Sequence, residues 1–265
     1  MKKSIITLFL GAAILLSCKK ETVKENTETS TKKENIATNL SEKIEIAHNK
    51  EAFLSQEAIK FNVVINFGGN EILNATISAA TNSEYAIIEK KDGSKIYVNK
   101  ENVFASPELK EDASVRFHAY TWSYFFLLPY KLNDVGTKWN FDYKSNETKN
   151  IFNTAKLSFE ENIGDAPKDW YVIYANKNTN VLEQAAYIVT AGKTQEEAEK
   201  DPHAIKYENY ELTKGIPIAN NWSFWGWNNN DGITQKIGFA KISDIQFIKG
   251  FKNKVQNIPN GFVKK

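Results

Sequence analysis

Cysteine occurs once in the 265 residues, at Cys18. One thiol can form no internal disulfide and cannot build a cysteine metal site, which needs several thiolates. Stability must come from packing alone. Arginine also occurs once, at Arg116, and the formal net charge is +2. A nucleic-acid binder needs a basic excess and clustered guanidinium groups, so this composition argues against one. Histidine is scarce: His48, His118 and His203 stand in no metal-ligand spacing with one another. There is no G-x-S-x-G elbow, no glycine-rich phosphate loop and no Ser/Lys motif. The sequence therefore yields no catalytic residue, no metal ligand and no cofactor. Asp165 and Asp169 in GDAPKDW are candidates for a cation, but Asp-Ala-Pro before a strand reads more simply as a loop.

Long apolar runs are lacking too, since a spanning helix needs roughly 20 such residues. The longest, Ile5 to Leu16, follows Lys2 and Lys3 and has the shape of a secretory signal. It ends in Leu15-Leu16-Ser17-Cys18, which resembles the bacterial lipobox, whose cysteine is lipidated and becomes the mature N-terminus. The expectation is a lipoprotein signal peptide over 1–17 and lipidation, of the palmitate type, at Cys18. Two or more acyl chains anchor a protein stably to a membrane. Loss of Lys2 and Lys3 would bring the charge from +2 to about zero. Lys19 to Leu40 mixes Lys, Glu, Thr and Asn without aromatics, so 18–40 is expected to be a disordered tether reaching roughly 25 Å. Lys19-Lys20-Glu21 matches neither an acidic surface-export signal nor an inner-membrane retention aspartate. The expected place is thus the outer membrane, facing the periplasm.

From 41 to 265 no second linker appears, and one domain is expected. Strand signals dominate it. In KFNVVINF, Phe61, Val63, Ile65 and Phe67 alternate with more polar neighbours, the period of a half-buried strand. Gly68-Gly69-Asn70, Lys91-Asp92-Gly93 and Asn176–Asn180 punctuate such segments as turns. Further strands are expected near 139–143, 155–160, 170–175, 181–190, 205–211, 216–227 and 237–248. Helices are expected over 41–54 with Ser41 as cap, from the Thr194–Glu197 capping box, and around 113–127. So few helices between so many strands exclude a parallel α/β fold. The expected fold is mainly β, a curved antiparallel sheet forming an open half-barrel.

Half of the fourteen residues in FHAYTWSYFFLLPY, Phe117–Tyr130, are aromatic. Pro129 should stop the helix near Leu127. Phe117, Tyr120, Tyr124 and Leu127 share one face, and Trp122, Phe125 and Phe126 widen it to most of the circumference. Seven such rings carry roughly 1,000–1,700 Å² of buriable surface, against exposed patches of at most a few hundred Å² on soluble monomers. Something must cover this helix: the sheet, a hydrophobic ligand held between helix and sheet, or a membrane surface. A second aromatic cluster, NNWSFWGWNNN, places Trp222 and Phe224 on one strand face. Trp225 and Trp227 fall on the other face unless Gly226 marks a re-aiming bulge.

The stretches VVINFGGNEILNATI, HAYTWSYFFLLPYKLNDVGTKW, GDAPKDWYVIY, AAYIVTAG and DPHAIKY together resemble a family of uncharacterised bacterial lipoproteins containing a domain of unknown function. The order of helix, hairpins, lid-like helix and further strands looks like the half-barrel of lipoprotein carriers. That resemblance implies a cavity for acyl chains enclosed by a curved sheet and short helices. The functional expectation is a membrane-anchored binder of a lipid or other hydrophobic molecule; an enzyme stays open, with nothing in the sequence arguing for one. The 113–127 helix would act as lid or plug, and Trp122, Tyr124, Phe125, Leu127 and Trp225 would line the site. The alternative is an envelope interaction module with a solid core. A hydrolase would need His118, His203, Asp165 and Asp169 to gather in a cleft.

Overall fold

The structure, a computed structural model, describes residues 38–145 and 151–265. The expected signal peptide, Cys18 and nearly all of the tether lie outside the described residues. Two antiparallel meanders account for the sheet. The first runs through β1 (Ala58–Phe67), β2 (Asn70–Ala80), β3 (Tyr85–Lys90), β4 (Lys95–Asn99) and β5 (Asn102–Ala105). The second runs through β6 (Thr137–Asn140), β7 (Phe152–Phe159), β8 (Tyr171–Asn176), β9 (Leu182–Tyr187), β10 (His203–Thr213), β11 (Ile216–Asn228) and β12 (Gly232–Ile248). β12 returns to pair with β1, and β13 (Val263–Lys264) adds to β5. The result is one thirteen-stranded sheet with β13 and β6 as its free edges, an open half-barrel.

The strands form where side chains alternate. Ile59, Phe61, Val63 and Ile65 of β1 are fully buried on one face, while Lys60, Asn62, Val64 and Asn66 are half-buried on the other. Gly68 and Gly69 turn the chain into β2 at φ +58° and +83°, values that residues with a Cβ rarely adopt. Curvature comes mainly from β12. It carries an extra residue against β1 between Gln246 and Ser243, and two more against β11 between Gly238 and Ile233. Each bulge bends a strand and raises its twist. β1 and β12 also approach closely, because a Cβ on Gly238 would lie 2.4 Å from the Asn66 carbonyl oxygen.

The predicted 41–54 helix is two helices, α1 (Leu40–Ala47) and α2 (Lys50–Leu54). Asn49, at φ +53°, breaks them. Asn39, not Ser41, caps α1, sharing a capping box with Glu42. Ser41 is buried and donates to Asn133 Oδ1 at 2.7 Å. α3 (Val115–Leu127) passes into a 3-10 turn at Leu128–Tyr130, placing the end where Pro129 puts it. Thr194 and Glu197 form the expected capping box of α4 (Gln195–Ala198). Sequence patterning missed β5, β13 and α5 (Phe251–Gln256). The Glu57 carboxylate, which accepts from the Gly250, Phe251 and Lys252 amides, caps the start of α5. Those bonds hold the Glu57 carboxyl below its usual range.

The main core lies between the sheet's inner face and α3. Two smaller cores cover parts of the outer face. One gathers Trp170, Val172, Tyr174, Ala186, Ala204 and Trp227 beneath Ala198 of α4. The other holds Ala58, Ala80 and Tyr85 against Phe251 and Val255 of α5. In the main core Phe126 of α3 stacks on Phe61 of β1 with ring centroids 4.1 Å apart. Phe126→Ala should destabilise the fold by about 3–5 kcal/mol. The check is a fall in the urea midpoint with an unchanged slope.

Candidate functional site

α3 presents to the sheet a face other than the one its spacing first suggests. Val115, Ala119, Trp122 and Phe126 point into the core, with Phe125 and Leu127 beside them. Phe117, Tyr120 and Tyr124 form the outward-leaning, half-buried side. Both faces are aromatic, so periodicity could not decide between them. The rings of α3 reach both meanders. Trp122 and Phe125 meet Phe224 of β11, and Phe125 meets Tyr187 of β9 at 4.9 Å. Phe126 meets Trp222 of β11 as well as Phe61. Tyr124 lies between Phe159 and Tyr171 of β7 and β8.

Four of the five predicted lining residues, Trp122, Tyr124, Phe125 and Leu127, therefore sit at the helix–sheet interface. Trp225 does not. It pairs with Ala204, a member of an outer core, and its indole N–H donates to Ser223 Oγ at 2.9 Å. The bulges beside Gly226 belong to β12, so β11 keeps its alternation and Trp225 stays on the outer face. Its place on the inner face is taken by Trp222 and Phe224, together with Tyr207 of β10.

Polar anchoring of α3 is sparse. Among the described residues, one strand side chain hydrogen-bonds to the helix: the Tyr207 hydroxyl donates to the Phe125 carbonyl at 2.9 Å. That carbonyl belongs to the last turn, where helical partners run out. At the other end Arg116 reaches two different edges of the half-barrel. Its guanidinium pairs with Asp165 in the β7–β8 loop and donates to the Lys265 carbonyl beyond β13. The Tyr124 hydroxyl is enclosed and has no hydrogen-bond partner. Burial, reinforced by Asp134 and Asp169, pushes its pKa up, so the phenol stays protonated.

Beyond the C-terminal end of α3 lies a cavity of about 10 Å³, lined by His48, Phe126, Tyr130, Tyr207, Tyr210 and Trp222, among others. That is room for about one water molecule. The remaining titratable candidates have separate partners. His118 Nδ1 accepts from Trp122 Nε1, and His203 packs against Phe67 and Tyr187. Burial lowers the pKa of both imidazoles. Asp165 serves Arg116, and Asp169 accepts from the Thr190 amide and hydroxyl. Burial raises the Asp169 pKa against those two bonds. None of these four groups bonds to another.

Tyr207→Phe would leave the Phe125 carbonyl buried without a partner. A loss of about 1–3 kcal/mol is expected. Amide exchange should be faster in 123–130 than in β1 and β2, measured by hydrogen exchange.

No protein-family model and no curated protein matches this chain. Solved structures do. A LolA superfamily protein from Nitrosomonas europaea superposes with a TM-score of 0.52 at 10% identity, over 78% of this chain and 94% of that one. A DUF1329 family protein from Desulfovibrio piger gives 0.50 at 13% identity, over 80% and 95%. Identities this low carry the fold and nothing finer. On that basis this chain is similar in architecture to the LolA superfamily protein: an antiparallel sheet left open around a helical plug.

Proposed function

We propose that this chain is a membrane-anchored lipoprotein of the cell envelope that takes up a lipid or other hydrophobic molecule between the sheet and α3. One observation carries the reading. The inner face of the sheet is apolar across both meanders, and the filler it now holds is fastened mainly by ring packing, with a few polar bonds from Arg116, Tyr120 and Tyr207. An acyl chain offers the sheet the same kind of surface as those rings, about 25 cal/mol per Å² whichever partner covers it. Exchange of one for the other costs little, provided α3 swings outward. Trp122, Phe125 and Leu127 on the helix, with Trp222 and Phe224 on the sheet, would then contact the chain. The enclosed Tyr124 hydroxyl would meet its polar end. Cys18 supplies the anchor, and the carrier-like fold supports an envelope location.

A second reading, an interaction module with a solid core, draws support from how completely Trp122 and Phe125 are packed, at 3% and 2% exposure. Mass spectrometry of an organic extract, together with titration of a fluorescent fatty acid, separates the two. The test protein begins at Thr38, so that the Asn39 cap of α1 is kept. Saturable binding that weakens at least tenfold in Phe125→Ala but is unchanged in Trp225→Ala is expected. A clean extract with no saturable binding would establish the solid-core reading instead. In cells, Cys18→Ser should move the protein from the membrane to the soluble fraction.

A further inference from the structure

His48 is the one histidine among the described residues that is fully buried. It follows α1 at the break before α2, and three parts of the fold converge on it. The first is β9, whose Leu182 amide donates to His48 Nε2 at 3.0 Å. A nitrogen that accepts this bond carries no proton, so the proton sits on Nδ1. The second is β10, where Tyr210 packs against the ring at 5.5 Å and ties itself to the Leu182 carbonyl. The third is the turn that ends α3. Tyr130 meets the His48 ring edge-on at 6.0 Å and stacks on Phe53 of α2 at 3.8 Å. The water-sized cavity lies between His48, Tyr130 and Phe126, and Nδ1 faces the Pro217 carbonyl without a well-formed hydrogen bond.

We infer that neutral His48 is the catch that holds the C-terminal end of α3 on the sheet, and that protonation of this imidazole releases it. A proton on Nε2 would face the Leu182 N–H, donor against donor, on a fully buried ring. The cavity borders both the ring and Tyr130. No charge in the surroundings offsets the imidazolium. The turn contributes the neutral phenol of Tyr130, and β10 those of Tyr207 and Tyr210. β11 contributes Pro217, Ile218, Ala219 and Trp222. On its own helices Glu45 and Lys50 pair with each other at 2.7 Å, and Glu183 beside Leu182 is engaged by Asn176. Burial accordingly lowers the His48 pKa to about 4, opposed only by the Pro217 carbonyl.

The sign follows. In the opened form His48 takes up a proton near its ordinary pKa of 6.5, whereas the closed form resists until about 4. Closure is therefore strongest at neutral pH, weakens as pH falls through that window, and levels off below it.

This inference rests on α3 being displaceable, and its test does not depend on a ligand. Hydrogen exchange of 115–130 is measured at pH 7 and pH 4.5, corrected for intrinsic rates. Opening should rise roughly fifty-fold in the wild type, the factor set by the two pKa values. His48→Gln, whose amide oxygen can accept from Leu182 without titrating, should show no such rise. A fatty-acid probe titrated in parallel reports on the binding reading separately. Absence of probe binding at both pH values would count against that reading and leave the exchange result to decide the catch. Equal rises in wild type and His48→Gln overturn the inference, as does a wild type that shows none or loses protection equally across β1 and β2. Should the variant fail to fold, the NMR titration of His48 in the wild type decides: its midpoint must mark the lower end of the rise, where exchange levels off.

Discussion

Ring packing between α3 and the inner face of the sheet is the interaction on which everything else depends. An antiparallel sheet that stops short of closure has an apolar concave face and no opposite wall to cover it. Phe61, Tyr187, Trp222 and Phe224 come from strands scattered over both meanders, and α3 is where they meet. Without the helix, the β1–β12 seam would join two half-sheets with little in common beneath it.

The second meander adds a constraint of its own. Along β8, Tyr171, Ile173 and Ala175 face α3, while Val172 and Tyr174 face the outer core. A strand buried on both faces has no solvent side. This part of the sheet is therefore a rigid wall, and movement falls to the element it supports. Polar bonds that tie α3 and its terminal turn to the rest of the fold are few: those of Arg116 at one end, of Tyr120 on the half-buried side, and of Tyr207 and Tyr130 at the other end. An arrangement of this kind favours swinging of the helix over deformation of the sheet.

Much of the architecture was legible in the sequence. Alternation in β1, the turns at Gly68-Gly69 and Gly93, the stop at Pro129 and the Thr194 capping box are all local signals, and they read correctly. The elements that were missed are held by distant partners. α5 depends on the Glu57 carboxylate and β13 on pairing with β5, and neither leaves a mark in its own few residues. The candidate site was half legible. The aromatic excess identified the helix, but a helix aromatic on both sides has no period to tell inside from outside, so the face drawn through Phe117 and Tyr120 is the half-buried one. Trp225 failed as a lining residue because a bulge in β12 leaves the facing of β11 untouched. His48 gave no signal at all: only the fold brings Leu182, Tyr130 and Tyr210 around it.

The seam between β1 and β12 also bears on how the chain is made. Ala58 pairs with Ile248, a separation of 248 − 58 = 190 residues. Contacts so far apart in the chain form late and slowly. A chain emerging from its N-terminus completes the first meander and α3 well before β11 delivers Trp222 and Phe224. During that interval the aromatic helix has only half of its cover. A nascent protein of this design would expose its stickiest surface during synthesis, when aggregation competes with folding. Rings that are buried in the finished fold, Trp122 and Phe125 among them, make the unfinished one a natural client for a holding chaperone.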